Sequence, residues 1–187
     1  MSSQPGGASE PPVASVTSVT SVAAERAAEP TDLRLCWTTQ DDPAAAPVLA
    51  DLARHYTRLY GEGAQREMAR YAPREFAAPD GGFLLLLADD GPVAAGAFRR
   101  HDATTAEFKR MWTRADRRRR GLARRVLAEL EAGVRARGYT SVHLTTGSRQ
   151  QDAAQLYVAA GYTPRFDRAL LTTAPADFRE LPFSKVL

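Results

Sequence analysis

Between Thr105 and Thr146 the chain runs through a strand, an arginine-rich corner, an amphipathic helix and a second strand, and this unit constrains the fold more than any other stretch. "TAEFKRMWTR", Thr105 to Arg114, has the alternation of a strand, with Phe108, Arg110 and Trp112 expected on one face and Glu107, Lys109, Met111 and Thr113 on the other. Neither face is purely apolar, which is unusual for a central strand. After Gly121, Leu122, Val126, Leu130 and Val134 recur along one helical stripe, and Gly138 fits the position just past the helix end. "SVHLTT" then reads as the next strand.

The remaining elements alternate around this unit. "LRLCWTT", Leu33 to Thr39, reads as a strand, and "DDPAAAPVLADLARHYTRLYG" as a helix opened by Asp and Pro and closed by Gly61. The region Glu62 to Pro79 has room for a second short helix. "FLLLL" is short for a helix and is bounded by turn residues, so it is read as a buried strand, joined by a "DDG" turn to a second strand from Val93 to about Arg100. Gln151 to Ala160 reads as a helix, with Ser148 and Gln151 as its capping box and Gly161 as its stop. Strands are expected near Tyr162 to Leu171 and Glu180 to Leu187.

Residues 1–30 are rich in Ser, Ala, Pro and Thr and hold no aromatic residue, Leu or Ile. Such a segment cannot offset its ordering entropy, so it is read as a disordered tail preceding one domain over residues 31–187. The single cysteine, Cys36, excludes an intramolecular disulfide and a cysteine-built zinc site, and suits a reducing cytoplasm. No window approaches the roughly 18 apolar residues of a membrane span. His55, His101 and His143 do not form a metal set, and each is read as a surface or satisfied side chain.

The corner itself, "RADRRRRGLARRVL", carries seven arginines in its first twelve residues, whereas the whole chain has two lysines and a net charge of +3. A helix N-terminus exposes unpaired amide donors and the positive end of the macrodipole, which suits an anion. Gly121 lets backbone approach a ligand, Ala123 keeps the first turn uncluttered, and guanidiniums can fork onto phosphate oxygens. These features predict a pyrophosphate cradle. A solvated basic face or a nucleic-acid patch would have much the same composition.

The order of motifs narrows the choice. "RRRGLA", Arg118 to Ala123, resembles the Gln/Arg-x-x-Gly-x-Gly/Ala signature of the GNAT superfamily of acyl-CoA-dependent N-acetyltransferases, with Ala123 where Gly often stands. "QQDAAQLYVAAGY", Gln150 to Tyr162, resembles the second motif of that superfamily. The resemblance covers about Leu33 to Leu187, and "ELPFSKVL" looks like the last strand of the family. It implies an α/β (α+β) fold: a mixed, mostly antiparallel central sheet of six to seven strands flanked by about four helices. It also implies acetyl-CoA as co-substrate, with no metal.

By the same resemblance, Met111, Trp112 and Thr113 would offer backbone groups to the pantetheine arm and the thioester carbonyl. Arg118, Arg119, Arg120, Gly121, Leu122 and Ala123 would wrap the pyrophosphate. Arg114, Arg124 and Arg125 are read as surface charge, Arg125 within reach of Glu129 one turn on. Gln150 stands where many members have an Asn on the CoA arm. Tyr157 matches the tyrosine that protonates the departing thiolate: a phenol with a pKa near 10 stays protonated at neutral pH. Its other reading is a packed helix tyrosine. Glu107 matches a base acting through water in some relatives, and an ion pair with Lys109 is an equal and compatible reading. Tyr56 and Tyr60 are candidates for the acceptor cleft.

The resulting expectation is transfer of an acetyl group to a primary amine, on a small molecule or peptide, by direct attack in a ternary complex. It includes a cytoplasmic monomer or homodimer, with neither nucleic acid nor membrane as partner. The alternatives are a non-catalytic acyl-CoA sensor and a nucleic-acid-binding protein using the arginines.

Overall fold

The structure, a computed structural model, describes residues 32–61, 66, 68–171 and 180–187. The sequence expectation of a disordered tail over residues 1–30 lies outside them, as does much of the region expected to hold a second helix. Seven strands form one sheet: β1 (Arg34–Thr38), β2 (Gly82–Ala88), β3 (Gly91–Arg100), β4 (Thr105–Thr113), β5 (Ser141–Gly147), β6 (Thr163–Pro164) and β7 (Glu180–Val186). Their spatial order is β1-β2-β3-β4-β5-β7-β6. Every neighbouring pair is antiparallel except β4 and β5, which are parallel. Three α-helices are described: α1 (Ala46–Tyr60), α2 (Leu122–Arg135) and α3 (Gln151–Ala159). This is the mixed, mostly antiparallel sheet expected, and α2 supplies the long crossover that a parallel pair requires.

The sheet is covered on both faces, which explains the uninterrupted run in β2. Leu84 and Leu86 join the core under α2 and α3, whereas Phe83 and Leu85 join the core under α1. A strand buried on both sides needs apolar residues at every position. All four side chains are fully buried, and each such burial contributes about 1.5–3 kcal/mol. On α2 the expected stripe of Leu122, Val126, Leu130 and Val134 is buried, with Leu127 beside it.

In β4 one expectation fails. Ala95 of β3 faces Trp112 and Ala97 faces Lys109, so Arg110 and Met111 together lie opposite Gly96. This is a β-bulge, and Arg110 takes a φ of +58° to make it. The extra residue resets the side-chain alternation. Phe108 and Met111 pack toward α2, whereas Trp112 belongs to the α1 core and Arg110 lies over Phe76 on that same side. Phe108 and Trp112 therefore occupy opposite faces rather than one. Gly96 accommodates the bulge, since a Cβ there would stand 2.7 Å from Met111 Sδ and from Leu130 Cδ1.

Two further expectations are corrected. The capping box at Ser148 is replaced by an N-cap at Gln150 without a side-chain cap bond, and Gln151 Nε2 donates to the Ser148 carbonyl at 2.8 Å. The strand expected over Tyr162 to Leu171 shrinks to Thr163–Pro164, followed by a 3₁₀ turn at Arg168–Leu171. Asp42 does open the first helical segment, where its carboxylate accepts from the Ala44 amide at 2.8 Å. Gly61 closes α1 at a φ of +63°.

Candidate active site

β4 and β5 pair only from Thr105 to Phe108 and from Ser141 to Leu144. Beyond Phe108 and Leu144 the strands part, because β4 stays with β3 to Thr113 while β5 follows β7 to Gly147. The opening is a cleft of about 1280 Å³, lined by the freed halves of both strands, one side of α1, the start of α2 and the start of α3. The backbone of Met111, Trp112 and Thr113 lies on one wall, and Thr145, Thr146 and Gly147 lie on the other.

The arginine corner closes one end. Arg119 and Gly121 both adopt left-handed backbone, at φ +62° and +78°. Gly121 is the N-cap of α2 and provides no side-chain cap. The first intrahelical bond is donated by the Arg125 amide to the Gly121 carbonyl, so the amides of Leu122, Ala123 and Arg124 lie ahead of the ladder, where they can meet an anion. A Cβ on Gly121 would meet nothing within 4 Å, so the space above this turn is open.

The seven arginines divide by partner. Arg114 binds Asp90 at 2.6 Å and Asp116 at 2.8 Å, and Arg117 lies 3.7 Å from the same two carboxylates. Arg118 and Arg119 line the cleft with Gly121, Leu122 and Ala123, whereas Arg120 is exposed and does not line it. Arg124, read as surface charge, also lines the cleft. Arg125 donates to the Leu33 carbonyl at 3.2 Å instead of reaching Glu129.

Gln150 lines the cleft and is held in place: it accepts from Thr146 Oγ1 at 3.3 Å and donates to the Tyr60 hydroxyl at 3.0 Å. Its neighbour Arg149 donates to the Leu59 carbonyl at 2.6 Å. These bonds tie the last turn of α1 to the loop before α3. On the other side Trp112 Nε1 donates to Asp51 at 2.8 Å, which holds the Asp51 carboxyl below its ordinary value against the upward push of burial. His55, also in the cleft wall, is pushed below its usual value by burial and by the Arg118 guanidinium, which favours its neutral form.

Tyr157 reaches the cleft from α3 but is only 4% exposed, packed against Tyr162 and Phe183 with ring centroids 5.8 and 5.5 Å away. Burial, helped by the neighbouring Tyr56, raises its phenol well above the ordinary value, so it stays protonated throughout the physiological range. Tyr157 is thus packed in the core, as one reading had it, while also bordering the cleft. Tyr56 and Tyr60 line the cleft as well.

Glu107 lies elsewhere. It borders a second cavity of about 370 Å³ beside the cleft, where its carboxylate binds Arg99 at 2.5 Å and Lys109 at 3.2 Å. Burial pushes its pKa up, but the Lys109 charge and the hydrogen bonds from Arg99 and Lys109 outweigh that push, and the net shift is downward. The expected pair with Lys109 is present. Arg99, which binds Glu75 as well at 2.9 Å, was not singled out in the sequence, and neither were Asp51 and Arg149. Asp51 and Trp112 are 61 residues apart, and no local pattern connects them.

Among the described residues, no group of three or more His, Cys, Asp or Glu could hold a metal ion, and no helix is long and apolar enough to cross a membrane.

Solved structures share this architecture. An acetyltransferase from Streptococcus agalactiae 2603 matches with a TM-score of 0.61 at 18% identity, over 82% of this chain and 98% of that one. A GNAT family acetyltransferase from Elizabethkingia anophelis, with acetyl-CoA bound, matches with a TM-score of 0.60 at 12% identity, over 84% and 99%. An aminoglycoside 6'-N-acetyltransferase complexed with coenzyme A matches with a TM-score of 0.58 at 15% identity, over 82% and 96%. At these identities the likeness concerns the fold. No match was found among curated protein sequences. The sequence profile of the acetyltransferase (GNAT) family matches residues 49–162, more than half of the chain, including α1 from Leu49 onward, β2 to β5, α2 and α3. This chain belongs to the acetyltransferase (GNAT) family.

Proposed function

We propose that the protein transfers an acetyl group from acetyl-CoA to a primary amine by direct attack in a ternary complex. The observation that carries this reading is the parting of β4 and β5 beside an amide-rich helix start. One end of the opening suits a pyrophosphate, and its wall offers backbone groups from Met111 to Thr113 to a thioester arm.

In this reading the pyrophosphate lies on the turn from Arg118 to Ala123, with Arg118, Arg119 and Arg124 supplying charge and Gln150 lining the arm. A preset amide on β4 aimed at the developing oxyanion contributes about 3 kcal/mol to the transition state. The neutral amine nitrogen attacks the thioester carbonyl carbon; the C–N bond forms and the C–S bond breaks. Tyr157 hydrogen-bonds the departing sulfur, and the proton that the nitrogen loses as the amide forms reaches the thiolate through water and that hydroxyl, which is thereby restored. Its buried, weakly acidic phenol makes stabilisation of the sulfur the larger part of that role.

Before the attack, the acceptor's ammonium sheds a proton that leaves through water toward Glu107. Arg99 and Lys109 keep that carboxylate ionised, so it passes the proton on to solvent and does not retain it. A cytoplasmic setting would supply the donor.

The test is thiol release with a panel of primary amines, run beside thermal denaturation with and without acetyl-CoA. Acetyl-CoA is expected to raise the Tm, because a ligand specific to the folded state stabilises it. Release of thiol must depend on the amine. No stabilisation at saturating acetyl-CoA would sink the donor assignment. Stabilisation without thiol release for any amine would leave an acyl-CoA sensor.

A further inference from the structure

The smaller cavity beside the cleft carries information about the acceptor. Lys109, Thr145 and Glu180 border both spaces, so an occupant of the smaller one abuts the donor groove where β4 and β5 part. At about 370 Å³ it stands at the low end of the range for small-molecule sites, roughly 300–1,000 Å³, which favours a compact ligand.

Its charged groups fall into two sets. Glu107, Arg99 and Lys109 are largely buried and held to one another at 2.5 and 3.2 Å. Arg70 and Glu180 differ: both side chains are 53% exposed, and their closest atoms are 3.7 Å apart, beyond hydrogen-bond length. An exposed ion pair at that separation contributes little, so a ligand carboxylate and ammonium reaching this rim can replace this one contact. Tyr71 offers no empty aromatic cage for a cation. Arg99, Lys109 and Arg70 already lie 4.4, 5.2 and 5.5 Å from its ring centre.

The adjoining cleft is positive. Arg58, Arg118, Arg119, Arg124 and Arg149 line it against Asp152 and Glu180. That field suits a phosphate-bearing donor and opposes an acceptor with several ammonium groups. An amine that carries its own carboxylate avoids the penalty.

Resting on the acetyl-transfer reading above, we propose that the acceptor is a small zwitterionic amine, an amino acid or similar amino-carboxylate, with Arg70 on its carboxylate and Glu180 on its ammonium. A guanidinium forks onto a carboxylate with two parallel hydrogen bonds, and Glu180 sets the amine at the junction with the donor groove.

The experiment is calorimetric titration of the full-length protein, with and without saturating CoA. The ligands are the proteinogenic amino acids in small pools, and then the best binder against its own decarboxylated amine. 1,5-Diaminopentane and spermidine serve as polycationic controls. At least one amino acid is expected to bind about tenfold more tightly than its decarboxylated counterpart. Arg70→Gln should reduce that preference to about twofold, Arg70→Lys should restore part of it, and CoA affinity should stay unchanged in both. The proposal is overturned if no amino acid binds, if spermidine or the diamine binds as tightly, or if the preference survives in Arg70→Gln. Amino-acid binding by a protein that fails to bind CoA would leave this site standing and remove the transfer reading instead.

Discussion

Phe108 and Leu144 are the last residues at which β4 and β5 face each other in register, and every proposed donor contact lies beyond them. On one side of that point the two strands form an ordinary parallel ladder. On the other their backbone groups face a cleft, where they can serve a ligand.

Tyr157→Phe keeps the ring that packs on Tyr162 and Phe183 and removes only the hydroxyl. Turnover is expected to fall by about 10²-fold, the lower end of what a positioned acid contributes. The Kd for acetyl-CoA should stay within about twofold, since binding is assigned to the α2 end of the cleft. Steady-state kinetics beside calorimetry checks both, and unchanged turnover would remove Tyr157 from the chemistry.

Gly121→Ala forces a Cβ into left-handed backbone at φ +78°, a strain of about 1–2 kcal/mol, and puts a methyl group in the open space assigned to the pyrophosphate. Gly138→Ala is the control, because Gly138 has a φ of +86° past the other end of the same helix and also faces open space. Both variants should lose similar stability. Only Gly121→Ala should weaken acetyl-CoA binding, by about tenfold. Equal affinities would place the phosphates elsewhere.

Lys185 holds Glu131 of α2 through both carboxylate oxygens, at 2.9 and 2.8 Å, while Tyr162 donates to the same carboxylate at 3.0 Å. Lys185→Met leaves a nearly buried carboxylate without its ammonium. A loss of about 3 kcal/mol is expected, measurable by urea denaturation. The double variant Lys185→Met/Glu131→Met should recover most of it. A single variant as stable as wild type would mean that the network contributes nothing.

Glu107 gives a pH signature. Its folded-state pKa lies below the ordinary 4.5, so the unfolded chain takes up this proton first as the solution is acidified. Its contribution to stability is therefore fully present above the unfolded value and is lost as pH falls below about 5 through the lower folded value. Glu107→Gln should show a flatter fall in stability from about pH 5 to 3 than wild type. Parallel curves would show that Arg99 and Lys109 do not hold this proton off.

Much of this arrangement was legible in the residues. The buried strand at Phe83 to Leu87, the stripe on α2 and the helix start after Gly121 all follow from local rules, so a short window sufficed. Arg124 is exposed, as read, and it also borders the cleft, because composition cannot tell which side of a helix start a guanidinium faces. The Asp51–Trp112 bond and the tie from Arg149 to Leu59 join residues distant in sequence, and neither leaves a periodic trace. The position of Glu107 outside the main cleft depends on how β4 parts from β5, a property of the whole sheet.

The bulge at Arg110 makes β4 two strands out of phase, joined end to end. Flattening the bulge, with Arg110 kept as an ordinary strand residue, would exchange the sides to which Met111 and Trp112 point. The indole would leave Asp51, the thioether would leave Leu130, and the cleft wall would be rebuilt from the same amino acids in mirror parity. In this fold the count of residues along β4 is as much a part of the site as their identities.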